Sequence, residues 1–130
     1  MKLSDFHSKT LNDNPSELQL LMDGKPTGEH LLVIGIESRS VARARIDARV
    51  AYAGLKEGAE DFDNYEDKEE WTRRAKELIE IRLAMDLIVG WSFEDEFCEE
   101  DCYKLLDEND GLALCVIAHA TESSNYLKKN

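Results

Sequence analysis

Apolar and polar positions change their rhythm along the chain. Residues 1 to 16 carry no period and end in Asn12-Asp13-Asn14-Pro15-Ser16, a run of turn formers that predicts an irregular lead-in. Glu17 to Met22 and His30 to Ile36 are short apolar stretches. The glycines and proline of Asp23-Gly24-Lys25-Pro26-Thr27-Gly28-Glu29 suit a reversing loop between them, so the pattern predicts a β-hairpin. The unbroken run Leu31-Leu32-Val33-Ile34-Gly35-Ile36 has the form of a strand covered on both faces, with helices as the cover.

From Ser38 the rhythm is helical. Val41, Ala44, Ala48, Ala51 and Leu55 fall at steps of three and four, with Arg39, Arg43, Arg45 and Arg49 between them. Ser38 or Ser40 is the expected cap, and Gly54 and Gly58 the expected end. Glu57 to Glu66 reads as an acidic connection anchored by Ala59, Phe62 and Tyr65. Asp67 stands three residues before Glu70, a capping-box spacing that opens a second helix. Its stripe of Trp71, Ala75, Leu78, Ile79, Leu83 and Met85 passes into Leu87-Ile88-Val89, apolar nearly all round, which predicts a buried central helix stopped by Gly90. Trp91-Ser92-Phe93 forms a hydrophobic corner before the acidic Glu94-Asp95-Glu96. Two shorter helices follow, from about Glu99 to Asp107 with Cys102, Leu105 and Leu106 inward, and from about Asp110 to Leu127 with Leu112 to Ala118 inward. The expected fold is α+β and mostly α, a small N-terminal β-hairpin packed on a bundle of about four helices. Residues 1–130 form one expected domain, with 1–36 as lead-in and hairpin and 38–127 as the helical body.

Composition narrows the function classes. A chain of 130 residues with 42% hydrophobic side chains can build one real core but not two. The formal net charge is −12, and it is unevenly spread. Residues 1 to 56 carry 8 basic and 7 acidic side chains, whereas residues 57 to 130 carry 8 and 21. Such a surface repels phosphate backbones and anionic lipid, so neither nucleic acid nor a membrane is an expected partner. Met1 to Thr10 has Lys2 and Lys9 but no apolar run between them, unlike a secretory signal, and nothing approaches the roughly 18 apolar residues of a bilayer span. With three cysteines, an odd number, the expectation is reduced thiols in a cytoplasm.

Catalytic patterns are not found. There is no Walker loop, dinucleotide fingerprint or Gly-x-Ser-x-Gly elbow, and neither His7 nor His30 pairs with a nucleophile, so neither an enzyme nor a cofactor is expected. Cys98-x3-Cys102 and Cys115-x3-His119 each place two ligands on one helical face and make a Cys3His zinc site conceivable. The packing reading is stronger, because Cys102 and Cys115 fall where the period calls for apolar side chains; no metal is expected. Asp61, Asp63 and Asp67 hint at calcium, but an EF-hand loop counted from Asp61 needs Gly at Glu66 and Glu at Thr72. The four arginines most simply solvate a helix face.

The stretch Ile88-Val89-Gly90-Trp91-Ser92-Phe93-Glu94-Asp95-Glu96-Phe97-Cys98, continuing through Glu99-Glu100-Asp101-Cys102-Tyr103-Lys104-Leu105-Leu106, resembles tail assembly chaperones of long-tailed bacteriophages. Those proteins commonly run from a central helix into a Val-x-Gly-Trp corner, an acidic turn, a Phe-Thr helix start and a Leu-Leu helix. Thr27-Gly28, Gly35-Ile36-Glu37-Ser38 and Asn125-Tyr126-Leu127 look like further parts of the same pattern, which spans roughly residues 20 to 127. Cys98 departs from it, standing where the family usually has a Thr or Ser cap, and the loop from Glu57 to Glu66 does not align.

The resemblance implies a protein of the bacterial host cytoplasm that binds the tape measure protein, and as a further client the tail tube subunits, before the tube polymerises; self-association is a further expectation. Trp91, Phe93, Phe97 and Tyr103 are the candidate contacts, although Trp91 is better placed for the core. The alternative is an acidic nucleic-acid mimic or regulatory binding protein, against which stands the clustering of 10 acidic residues between Asp86 and Asp110 around one turn. The family is often made in two lengths by a frameshift, and Lys128-Lys129 could overlie the slippery sequence.

Overall fold

The computed structural model describes residues Met1–Leu127; Lys128 and Lys129, on which the frameshift expectation falls, lie outside the described residues. It is α+β and mostly α, as the periodicity predicts. The lead-in is more ordered than its composition suggests, with a 3-10 turn at Leu3–Phe6 and a single helical turn, α1, at Ser8–Leu11. Strands β1 (Ser16–Met22) and β2 (Lys25–Val33) form the hairpin. Its turn is tighter than expected, because Asp23 and Gly24 both adopt positive φ and reverse the chain at once. The rest of the expected loop belongs to β2. Between the pairs Gln19–His30 and Leu21–Pro26, one residue of β1 faces three of β2. The Thr27 hydroxyl donates to the Leu20 carbonyl at 2.8 Å, and Gly28 takes φ +85°, so Thr27-Gly28 is there to form a bulge.

The central helix ends earlier than its apolar pattern implies. Helix α2 spans Ala42–Ala53 after a 3-10 turn at Arg39–Val41, α3 spans Leu55–Ala59, and α4 spans Tyr65–Leu87. Ile88–Trp91 is then a third strand, β3, pairing antiparallel with β2 through Leu31–Trp91, Leu32–Gly90 and Val33–Ile88. The expected helix through Val89 is therefore corrected. An apolar run without period fits a buried strand as well as a helix, and here a free edge of β2 competes for its backbone. The sheet order is β1-β2-β3, and α5 (Glu99–Glu108) and α6 (Leu112–Thr121) complete the chain before a 3-10 turn at Ser123–Asn125.

Two caps differ from expectation. Helix α4 starts at Asn64, whose side chain accepts from the Glu66 N–H, so Asp67 and Glu70 lie inside the helix and form no capping box. Ser38 accepts from the Ser40 N–H and so caps the 3-10 turn, not α2 itself, whose N-cap Val41 makes no side-chain cap hydrogen bond; the Ser38 hydroxyl also donates to Asp13. Gly58 does not end a helix either. It sits inside α3, where a Cβ would come within 2.3 Å of the Trp71 ring.

Leu31 and Val33 are fully buried on one face of the sheet, with Ile88 and partly buried Leu18, Leu20 and Trp91 beside them. Ile81, Ala84 and Leu87 of α4, Cys102 and Leu106 of α5, and Val116 and Ala120 of α6 close the same core. Leu32 points to the other face and is only half-buried, so helices cover one side of β2 and not both. Beyond Val33 the chain leaves the sheet. The N–H groups of Ile34, Gly35 and Ile36 donate to the carbonyls of Leu87, Asn12 and Ala120, which satisfies a buried segment without a strand partner.

Candidate partner-binding groove

Helices α2 and α5 flank α4 without filling the space above it. The wall from α2 is Ala44, Ala48 and Ala51, at steps of four and three, and alanine is too short to reach across. A groove of about 940 Å³ results. Leu78, Ile81 and Met85 of α4 form its floor, and Tyr103 of α5 and the preceding Cys98 its far side. Leu78 is 40% exposed and Tyr103 38%, so the groove offers apolar surface to solvent.

Its rim is acidic. Asp47, Asp86, Glu99 and Glu100 line it, contributed by three different helices, with Arg82 as the single cation among the described lining residues. Asp47 also pairs with the exposed Arg43 at 3.5 Å. The Asp86 carboxyl is held above the ordinary carboxylate range, first by burial and then by the charges of Glu99 and Asp47, with Arg82 acting the other way. The rim carboxylates thus feel one another across the opening. Chemically, the arrangement suits an apolar ligand edged with positive charge.

Of the four aromatic candidates, only Tyr103 lies in this groove. Trp91 meets Phe93 and Phe97 edge-on, with ring centroids 5.6 and 4.8 Å apart, and its indole N–H donates to the Asp95 carbonyl at 2.8 Å. These contacts brace the turn from β3 into α5, whose first residues carry the rim. Trp91 and Phe93 are half-buried, while Phe97 is exposed. The sequence marks the alanines of this wall and Leu78 as helix-stripe positions but not as partner contacts, and it does not mark the carboxylates of Asp47 and Asp86 as contacts either.

The cysteines and His119 are placed differently. Cys102 is buried as expected and its thiol is pushed up to about 11 by burial, then by Cys98 and Glu99, whereas Cys98 is exposed and so is Cys115, which corrects the inward position expected for Cys115. Cys98 is the N-cap of α5 and makes no side-chain cap hydrogen bond, so the departure noted in the sequence leaves that helix start uncapped. His119 bridges Ser16 at 3.0 Å through Nε2 and Asn125 at 3.3 Å through Nδ1, and burial lowers its pKa. Because the Asn125 amide donates to Nδ1, the proton of the neutral ring sits on Nε2 and points at Ser16. Among the described residues, no group of three or more His, Cys, Asp or Glu is arranged to hold a metal ion. No described helix is long and apolar enough to cross a membrane. Comparison with protein-family models, with curated proteins and with solved structures finds no match to this chain.

Proposed function

We propose that this chain is a tail assembly chaperone of a long-tailed bacteriophage or prophage, acting in the host cytoplasm by binding and not by catalysis. Its clients are the tape measure protein and, in addition, tail tube subunits, which it keeps apart until the tube polymerises. The observation that carries this reading is the groove between α2, α4 and α5, an exposed apolar slot inside an acidic rim. A long helical client displays apolar stripes that associate in solution, and a chaperone must cover such a stripe while its own charge resists aggregation. A net charge of −12 supplies that resistance.

Co-expression tests the reading. A tape measure protein of a long-tailed bacteriophage is produced alone and together with the chain. The client is expected to move into the soluble fraction and to co-purify with the chain. Unchanged solubility, with no co-purification, overturns the proposal.

A further inference from the structure

We infer that the groove receives about two turns of an amphipathic helix from a separate basic segment, with its apolar side on Leu78, Met85 and Tyr103 and its lysines or arginines on the acidic rim. The inference rests on the client-binding reading above and adds the chemistry of the segment recognised.

Size favours a helix. Two helical turns are about 11 Å long and about 10–12 Å wide with side chains, so an open slot between two helices takes one face of them. The groove measures about 940 Å³. Shape agrees, because Ala44, Ala48 and Ala51 form a shallow wall along which a second helix can approach to the short end of ordinary interaxial distances, about 8 Å. A helix laid on this surface reads it with anchors at i, i+3 or i+4, and i+7.

Charge identifies the sign of the occupant. Four carboxylates against Arg82 in the lining, and Arg43 beside Asp47 outside it, leave the rim net negative, and Asp86, disfavoured as a charge first by burial, also feels Glu99 and Asp47. A cationic flank relieves that repulsion and an anionic one adds to it. A second copy of the chain is the weaker candidate. Each copy carries −12, so bringing two together sets like charge against like.

The probe is a 15-residue helical peptide with leucines at i, i+4 and i+7 and lysines on both flanks. A control replaces every lysine with glutamate. Titration calorimetry with the full chain is expected to give binding at least ten-fold tighter for the lysine peptide, weakened by salt. Ala48→Trp, which fills the groove, should weaken it at least ten-fold. The double variant Glu99→Lys, Glu100→Lys, whose substitutions lie on exposed positions, should narrow or reverse the preference between peptides even if Ala48→Trp fails to fold. Equal binding of both peptides, or full binding by a folded Ala48→Trp protein, overturns the inference. So does a light-scattering mass of two or more copies that falls to one copy when the groove is filled. Co-expression with the tape measure protein separates the two proposals. If Ala48→Trp still solubilises that client, the chaperone reading stands and the groove assignment falls. If the lysine peptide binds but the client is not solubilised, the reverse holds.

Discussion

The Tyr126 hydroxyl donates to the Val33 carbonyl at 2.9 Å across 93 positions of sequence, tying the end of the chain to the central strand. Both residues are buried. Tyr126→Phe removes a donor from this buried carbonyl, which should cost about 1–3 kcal/mol in urea unfolding. The phenol pKa is pushed up to about 12 by burial. An unfolded tyrosine ionises near 10, so the unfolded chain loses this proton first as pH rises. The stabilisation from Tyr126 is therefore whole below about pH 10 and is lost as pH rises through about 12. Cys102 acts in the same direction from lower pH, with its thiol raised to about 11. The wild type minus Tyr126→Phe difference should isolate the tyrosine share, shrinking between pH 10 and 12. A difference independent of pH in that window would show that the phenol is not held neutral.

A cap is missing at α5. Cys98 has the extended backbone of an N-cap, φ −145° and ψ 159°, but its thiol accepts nothing. Cys98→Thr should supply an acceptor for the first-turn N–H groups and stabilise by about 0.5–2 kcal/mol, read as a raised urea midpoint with an unchanged slope. No gain would mean that the acidic first turn of Glu99, Glu100 and Asp101 already satisfies the helix end.

The helical period and the hairpin were legible because they rest on local spacing. Ala44, Ala48 and Ala51, and then Leu78, Ile79 and Leu83, mark helix faces wherever the rest of the chain lies. The third strand was not legible, since Leu87-Ile88-Val89 is apolar on every side and only the open edge of β2 decides its state. The cap at Asn64 was hidden for a related reason, as Asp67 and Glu70 copy a capping box one turn too late. The groove lay beyond pattern reading because the same alanines that signal an inward face do not say whether the space opposite is filled. Asn12 is the clearest omission: a polar residue in a turn-forming run proved to be buried, and only the tertiary structure supplies its partners.

Asn12 and Gly35 are paired by close approach. The Asn12 amide donates to the Ser8 carbonyl, its Oδ1 accepts from the Glu37 N–H at 3.3 Å, and a Cβ on Gly35 would fall 1.7 Å from that oxygen. Gly35→Ala should cost about 1–3 kcal/mol, as overpacking does. Asn12→Ala should be destabilising too, yet the double variant should cost less than the sum of the two, because truncating Asn12 clears the space. Strict additivity in a urea double-mutant cycle would contradict the contact.

Asp86 should respond to pH in a defined direction. Its carboxyl is raised by burial, then by Glu99 and Asp47, so the folded state disfavours its charged form. The destabilisation is present at neutral pH and relieved as pH falls through the raised pKa. Asp86→Asn is therefore expected to raise the urea midpoint at pH 7, with the gain vanishing below about pH 4, where the unfolded carboxyl is also protonated. An equal gain at both pH values would assign the effect to packing. The same variant should weaken the lysine peptide, since it removes one rim charge.

Amide hydrogen exchange tests most directly the claim that this chain works by holding a helical segment between α2, α4 and α5. The full chain is exchanged alone and saturated with the lysine-flanked peptide, then with the tape measure protein proposed as client. Slowed exchange is expected in residues 44–51, 78–86 and 98–103, with the hairpin at 16–33 unchanged. Protection confined to the hairpin or the lead-in, with those three segments unaffected, would contradict it.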